Sequence, residues 1–432
     1  MDISITKSTL HGNYNAIESK SHLHRLLMCS ALCSEDTDIE FGESRSRISK
    51  DVFATYSCLK ALGTKIAFIT DGAYVRPGFS KNTDEAVVLD CDESGTTLRF
   101  ILPLTAYLCS KGVFSEIHIK GKESLMSRPT DDLINALAER GVKIKKANNS
   151  LIIKDGLKAG TFTLPGNVSS QFVSGLLFIL PLLKDSRILL TSPLESDFYV
   201  DMTVETMRKF GVNILVRDER EYSAAENSEY VSPGKILCEG DWSNAAPFIA
   251  VSELQSNILS TVSDGLGQLQ IHGVSMNSLQ GDSKIVELSK EFETHGDRKI
   301  DITNTPDLVP VLAVLAAFSK GNTLFTGCRR LKYKESNRLA TVCELINKLG
   351  GKAEETLDKD GDDALLVYGI PLTGGTVSSH NDHRLVMAAA TAGVFCRNGV
   401  IIKDAEAIEK SYPTFFDEYR RLGGKADVIK PW

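Results

Sequence analysis

Nine cysteines are scattered over the 432 residues, yet no two form a CxxC pair and none stands at zinc-type spacing from a histidine. That excludes a zinc ribbon and a dithiol redox motif. Most cysteines lie in apolar runs such as LLMCSALC and are read as reduced core residues. The chain also lacks any run of about 18 apolar residues, and its start, MDISITKSTLHGNYNA, has no basic stretch leading into an apolar core. A cytoplasmic location without membrane contact is the expectation. A surplus of positive charge is missing too: 49 Lys and Arg against 56 Asp and Glu leave a formal charge of -7. Nonspecific nucleic-acid binding through a basic face is therefore excluded. Any anionic ligand must be met by local clusters of cations. Nothing in the composition calls for a subunit partner, and a monomer is expected.

What the chain does have is a hidden repeat. A length of 432 residues overruns one ordinary core and argues for two domains. One kind of element recurs along it: a polar or glycine-bearing turn, a Ser, Thr or Asp, then an apolar helical run. The instances begin SKSHLHRLL, ESGTTLRFIL, VSSQFVSGLL, DWSNAAPFIA, TPDLVPVLAV and NDHRLVMAAA. With Ser21, Ser94, Ser169, Ser243, Asp307 and Asp382 as markers, the gaps are 73, 75, 74, 64 and 75. A second landmark runs out of phase: helices ending in Gly before a strand, which puts Gly63, Gly141, Gly211, Gly350 and Gly423 at left-handed C-caps. The fourth unit is the weak one, offering only Gly296 at a stretched spacing. Runs such as LLFILPLL and LVPVLAVLAAF are apolar all round, the mark of interior helices.

Polar starts on buried helices are where chemistry is expected. The first turn of a helix presents unpaired N–H groups and a partial positive charge, so Ser and Thr caps backed by Arg or Lys suit phosphate or carboxylate. The chain supplies such cations at Lys20, Arg25, Arg99 and Arg384, and elsewhere in the repeat at Arg128, Lys334, Arg338 and Lys410. Singly, each reads as a cap worth about 1 kcal/mol or as a solvated charge. Two carboxylates shift the balance: Asp307 stands at the mouth of an apolar helix, and Glu335 lies between Lys334 and the run SNR. Acids set among cations can hold or lend a proton.

These segments together, from ESKSHLHRLL through SGTTLR, SRPTDDLINAL, VSSQF, SDFYVDMTVETM, EGDWSNAAPFIA, LKYKESNRLA and NDHRLVMA to EKSYPTFF, resemble the enolpyruvyl transferases over essentially the whole chain. The resemblance implies two inside-out α/β domains, each of three βαβαββ units with helices buried and sheets outside. The first would span 16–236 and the second 1–15 with 237–432, joined by a double-crossover hinge. It also implies transfer of the carboxyvinyl group of phosphoenolpyruvate to the 5-hydroxyl of shikimate 3-phosphate, by addition and elimination, with no metal and no organic cofactor. By motif, shikimate 3-phosphate would be held by Lys20, Ser21, Arg25, Ser169, Ser170, Gln171, Ser196, Tyr199, Asp307 and Lys334. Phosphoenolpyruvate would be held by Lys20, Gly95, Arg128, Gln171, Arg338, Arg384 and Lys410. Asp307 is expected to take the hydroxyl proton, Glu335 to exchange the proton at C3, and Lys20 to assist the phosphate.

Three departures stand out. CDESGTT puts Asp92 and Glu93 where the resemblance leads one to expect Gly and Asn, and two acids there should weaken anion binding unless they turn away. GESRSRISKDV replaces a Ser and Asp pair, with Arg45, Arg47 and Lys50 read as surface charges. His22 and His24, at i and i+2, fall on different helix faces, which speaks against a metal site. The rival within the family, UDP-N-acetylglucosamine enolpyruvyl transferase, carries a Cys where this chain has Glu123. An RNA 3'-phosphate cyclase would call for a basic stripe, and a non-catalytic anion-binding relative would lose the carboxylates.

Overall fold

The computed structural model describes residues 1–42, 47–80, 86–259 and 268–430. The chain divides into two compact units, Glu18–Glu239 and Met1–Ile17 with Gly240–Trp432, each with its own hydrophobic core.

One pattern builds both. In its plainest copy, strand Val87–Asp90 pairs in parallel with Glu116–Lys120 across the helix Gly95–Ser110. Helix Asp131–Glu139 follows, and the hairpin Lys143–Ala147 and Ser150–Lys154 then adds antiparallel, giving the spatial order first, second, fourth, third. The sheets that begin at Thr161 and at Arg298 repeat this order. Two copies take a strand from far along the chain: Lys235–Leu237 lies parallel to Thr37–Glu40, and Asp2–Thr6 sits between Val400–Lys403 and Lys425–Lys430. The fourth unit is short. Among the described residues it has only Gly12–Asn15 beside Leu269–His272, and the helical turns Gly281–Lys284, Ile285–Lys290 and Glu291–Glu293 stand where the other copies have a full helix and hairpin. This accounts for the shorter gap between Ser243 and Asp307.

The apolar helices are interior, as their composition requires. Val309–Phe318 is buried from Val309 to Ala317, and Ser170–Ile179 is buried at every position but Gln171. Each fully buried Leu, Ile or Val contributes about 1.5–3 kcal/mol, so a helix apolar all round gains most when sheets enclose it. The strands alternate accordingly: Ile117 and Ile119 face the core while Glu116 and Lys120 lie on the other face. The five glycines expected at C-caps all adopt positive φ, between 81° and 109°, just after their helices. Gly296 also has positive φ but follows a 3-10 turn, so it caps no α-helix. All nine cysteines are free and buried. Among the described residues no helix is long and apolar enough to cross a membrane.

Candidate active site

The polar residues singled out by the repeat collect at the starts of the interior helices, and each unit gathers its own set.

In the Glu18–Glu239 unit, Ser19 caps the helix Lys20–Leu32 by accepting from His22 N. Lys20 in its first turn pairs with Asp51 at 2.9 Å. One turn on, Arg25 is 2% exposed. Its Nε donates to Thr203 Oγ1 at 2.8 Å, Nη1 to the Ser21 carbonyl at 2.6 Å and Nη2 to the Tyr199 carbonyl at 2.7 Å. Every one of these acceptors is neutral, and among the described residues no carboxylate pairs with the guanidinium. Burial consequently pulls Arg25 down to about 10, eased only slightly by Tyr199 and Cys29. A buried cation without a counter-ion is a prepared anion site. Ser196, just ahead of Tyr199, is buried and left-handed, with φ 54°, a conformation that costs a non-glycine residue of order 1 kcal/mol and tends to mark functional positions.

A second group forms around Gly95. Ser94 caps this helix by accepting from Thr97 N. A methyl at Gly95 would lie 2.9 Å from Arg99 Nη1 and 3.3 Å from Arg128 Nη1, so any larger residue would make the two guanidinium tips move from the helix start. Arg99 Nη1 donates to Gln171 Oε1 at 2.6 Å, and Gln171 Nε2 donates to Thr96 Oγ1 at 2.8 Å, which brings Gly95, Arg128 and Gln171 together. Ser169 and Ser170 open the next helix, and Ser169, unlike the other Ser caps, makes no capping bond with its side chain. That leaves the hydroxyl and the helix N-terminus for a ligand. The acids of the departure have partners of their own: Lys122 Nζ pairs with Asp92 at 3.0 Å and Glu93 at 3.6 Å, and Ser124 Oγ donates to Glu93 at 2.8 Å.

In the other unit the centre is Arg338, 1% exposed at the start of helix Arg338–Lys348. It meets the buried Asp382 through Nε at 2.7 Å and Nη2 at 3.1 Å, Glu335 through Nη2 at 2.6 Å, and Asp307 through Nη1. Lys334 Nζ reaches Asp307 at 3.2 Å. Burial pushes the Asp307 carboxyl up, but Lys334, Arg338 and Arg384 overcome it and hold the group well below the usual carboxylate range. Burial pulls Lys334 down, with Asp307 opposing. Asp382 caps the helix His383–Gly393 by accepting from Arg384 N. Arg384 Nη1 donates to the Ser243 carbonyl at 2.7 Å, and the buried Lys410 donates to the Asn381 carbonyl at 2.7 Å. Asp307, Lys334, Glu335 and Arg338 thus form one cluster, with Arg384 and Lys410 attached on either side of Asp382.

Sequence reasoning passed over two of these partnerships. Asp51, which pairs with Lys20, follows the cap Ser49 in SKDV, and an acid in a first turn was the available signal. Asp382 served as a helix marker, but its grip on Arg338 is 44 residues long and has no local trace. Arg99, counted from the sequence among the helix-start cations but assigned to neither substrate, ties Gln171 to the helix start at Gly95. His22 and His24 are buried and their imidazoles pulled down by that burial, His22 to about 3, and they bond to Glu239 N and Thr55 Oγ1 respectively. Arg47 and Lys50 are exposed; Arg45 lies outside the described residues. Glu123 is exposed at the start of a short helix. Among the described residues no three His, Cys, Asp or Glu side chains are grouped to hold a metal.

The family model of EPSP synthase (3-phosphoshikimate 1-carboxyvinyltransferase) matches residues 5–419. Curated relatives named 3-phosphoshikimate 1-carboxyvinyltransferase include one from Clostridium perfringens, 37% identical with 98% of each chain covered, and one from Clostridioides difficile, 34% identical, also 98% and 98%. Among solved structures, an EPSP synthase from Acinetobacter baumannii superposes with TM-score 0.76 at 20% identity, over 99% of this chain and 100% of that one. The enolpyruvyl transferase NikO from Streptomyces tendae gives 0.72 at 14% identity, over 100% and 99%. At those identities the two structures speak for the fold: interior helices enclosed by small sheets.

Proposed function

The chain belongs to the EPSP synthase family and its activity is carboxyvinyl transfer to 3-phosphoshikimate, and on that premise we propose which of its residues carry the reaction. The observation that carries the reading is the match over nearly the whole chain, with Lys20, Arg25, Asp307 and Arg384 at or near the starts of interior helices and Arg128, Lys334, Glu335, Arg338 and Lys410 elsewhere in the repeat.

Shikimate 3-phosphate and phosphoenolpyruvate bring two phosphates and two carboxylates, which need cations that are already ordered. Arg25, with its uncompensated charge, takes shikimate 3-phosphate together with Ser21, Ser169, Ser170, Gln171, Ser196 and Tyr199, and Asp307 and Lys334 are assigned to the same substrate. Phosphoenolpyruvate takes Gly95, Arg128, Gln171, Arg384 and Lys410. Arg338 has five N–H groups. Four of them are given to carboxylates, so its first duty is to fix Asp307 and Glu335, and it meets phosphoenolpyruvate with the one donor left.

In the reaction Glu335 first takes a proton from solvent; the 5-hydroxyl oxygen then attacks C2 of phosphoenolpyruvate, its proton passes to Asp307, and C3 receives the proton from Glu335. Elimination reverses the last transfer: Glu335 takes a proton from C3 as the C2–O bond to phosphate breaks, and Lys20 stabilises the departing phosphate. Asp307 as held by three cations is a weak base. Anionic substrate groups arriving at Lys334 and Arg384 compete for those cations and lift the carboxyl toward a useful value. No step draws on a metal or an organic cofactor. We take the working form to be a cytoplasmic monomer without nucleic acid, in line with the charge of -7; sedimentation at micromolar concentration checks the monomer.

The deciding assay is phosphate release from phosphoenolpyruvate in chelator, with shikimate 3-phosphate or UDP-N-acetylglucosamine as acceptor. Release with the first alone is expected; release with the second alone would overturn the reading. Two variants test the anion sites. Gly95→Ala pushes on both guanidinium tips and should raise KM for phosphoenolpyruvate about tenfold to a hundredfold, with KM for shikimate 3-phosphate little changed. Arg25→Lys keeps the charge but not the fork, and should raise KM for shikimate 3-phosphate about tenfold, while an unchanged value would remove Arg25 from that site.

A further inference from the structure

One buried carboxylate of the Gly240–Trp432 unit has no part in the scheme above. Asp282, on the short turn Gly281–Lys284, is 3% exposed. It accepts a hydrogen bond from Ser243 Oγ. The carbonyl of the same Ser243 accepts from Arg384 Nη1 at 2.7 Å. Arg384 is itself 7% exposed, and its buried Nε has no hydrogen-bond partner among the described residues. Asp282 and Arg384 thus grip the two ends of one residue at the start of the helix Trp242–Leu259. We infer that Asp282 is a positioning residue for the carboxyvinyl donor site, fixing Ser243 and, through that residue and its own charge, aiming the Arg384 guanidinium at phosphoenolpyruvate. The inference rests on the assignment of Arg384 to phosphoenolpyruvate.

The fold by itself gains little from an acid here. Burial, and after it Asp307, push the Asp282 carboxyl up to about 6, with Asp241 adding to the rise and Arg384 and the Ser243 hydroxyl opposing it. The charged groups that face it are therefore Asp241 at the start of one helix, Asp307 before a second and Arg384 on a third. Lys284 on its own turn and Glu287 and Lys290 on the next helix are exposed. A carboxyl whose folded value lies above its unfolded one favours the folded state when protonated, and that contribution is lost as pH rises through the folded value. At pH 8 the ionised Asp282 is a liability to the fold, offset by its bond from Ser243 and by what its charge does to Arg384. A residue kept for packing would not need that charge.

Asp282→Asn keeps the shape and the bond to Ser243 and removes the charge; Ser243→Ala removes the bond and leaves the carbonyl. Arg384→Lys, measured beside them, tests the assignment on which the inference stands. At pH 8 both Asp282→Asn and Ser243→Ala should raise KM for phosphoenolpyruvate about tenfold, with kcat and KM for shikimate 3-phosphate nearly unchanged and, in Asp282→Asn, Tm no lower than in the parent. An unchanged KM for phosphoenolpyruvate in Asp282→Asn overturns the inference. A rise in both KM values together with a fall in Tm also overturns it, because that is the signature of a structural residue. If Arg384→Lys leaves KM for phosphoenolpyruvate unmoved, the assignment of Arg384 fails and the inference goes with it; if Arg384→Lys raises it and Asp282→Asn does not, only the inference fails.

Discussion

Arg338→Met is expected to lower the stability of the Gly240–Trp432 unit by about 3–5 kcal/mol, the usual consequence of removing one partner from a buried charge set. Three carboxylates lose a cation at once, Asp307 keeping Lys334 close by, and Asp382 is wholly enclosed. Methionine fills most of the space, so the loss is electrostatic rather than a cavity effect. Trp242 is buried in this unit, so urea unfolding followed by tryptophan fluorescence reports on it. The pH dependence carries a sign. Asp307 is depressed in the folded protein, so its contribution is present above the unfolded value near 4 and is lost as pH falls through the folded value. The gap between Arg338→Met and its parent should therefore narrow on acidification, as the stranded carboxylates take up protons. A variant as stable as the parent at pH 7, or a gap that widens in acid, would contradict the account of Arg338 as the hub.

Asp307→Asn should lower kcat by about a hundredfold to ten-thousandfold, the range of a positioned general base. The amide cannot take the hydroxyl proton, and it leaves Lys334 and one Nη of Arg338 without their anion. Glu335→Gln should behave differently. Solvent deuterium should no longer enter C3 of phosphoenolpyruvate, while shikimate 3-phosphate binding, followed by calorimetry, stays close to normal because Glu335 is bonded to Arg338 and is assigned no contact with that substrate. If Asp307→Asn retains kcat within tenfold of the parent, another group takes the proton; if Glu335→Gln still exchanges deuterium at C3, the assignment of that step is lost.

The two roles differ because their surroundings differ. Asp307 is shared by Arg338, Lys334 and the field of Arg384, so its basicity depends on which of those cations a substrate occupies. Glu335 pairs with Arg338 three residues on. Coupled acids of this kind titrate as a group, which is why the kinetic test compares isotope exchange with turnover rather than pH optima.

By itself the sequence determined the parts that local forces govern. Six apolar helices with Ser or Asp at or near their starts, and five glycines at helix ends, follow from periodicity and capping, which act over four or five residues; the structure has all of them. The motifs VSSQ, KESNR and NDHR marked most of the side chains that cluster at those helix starts. Tertiary structure alone decided the rest. A strand at Lys235–Leu237 completes the sheet of Thr37–Glu40, and Asp2–Thr6 completes one near the other end of the chain, because backbone pairing is blind to sequence distance. Arg338 binds Asp307 and Asp382 across 31 and 44 residues. Asp282 came to notice only when a turn of the shortened fourth unit brought it to Ser243. A lone carboxylate between Gly and Ser carries no pattern in sequence; what gives it meaning is the loss of solvent around it and the cation the fold puts within reach.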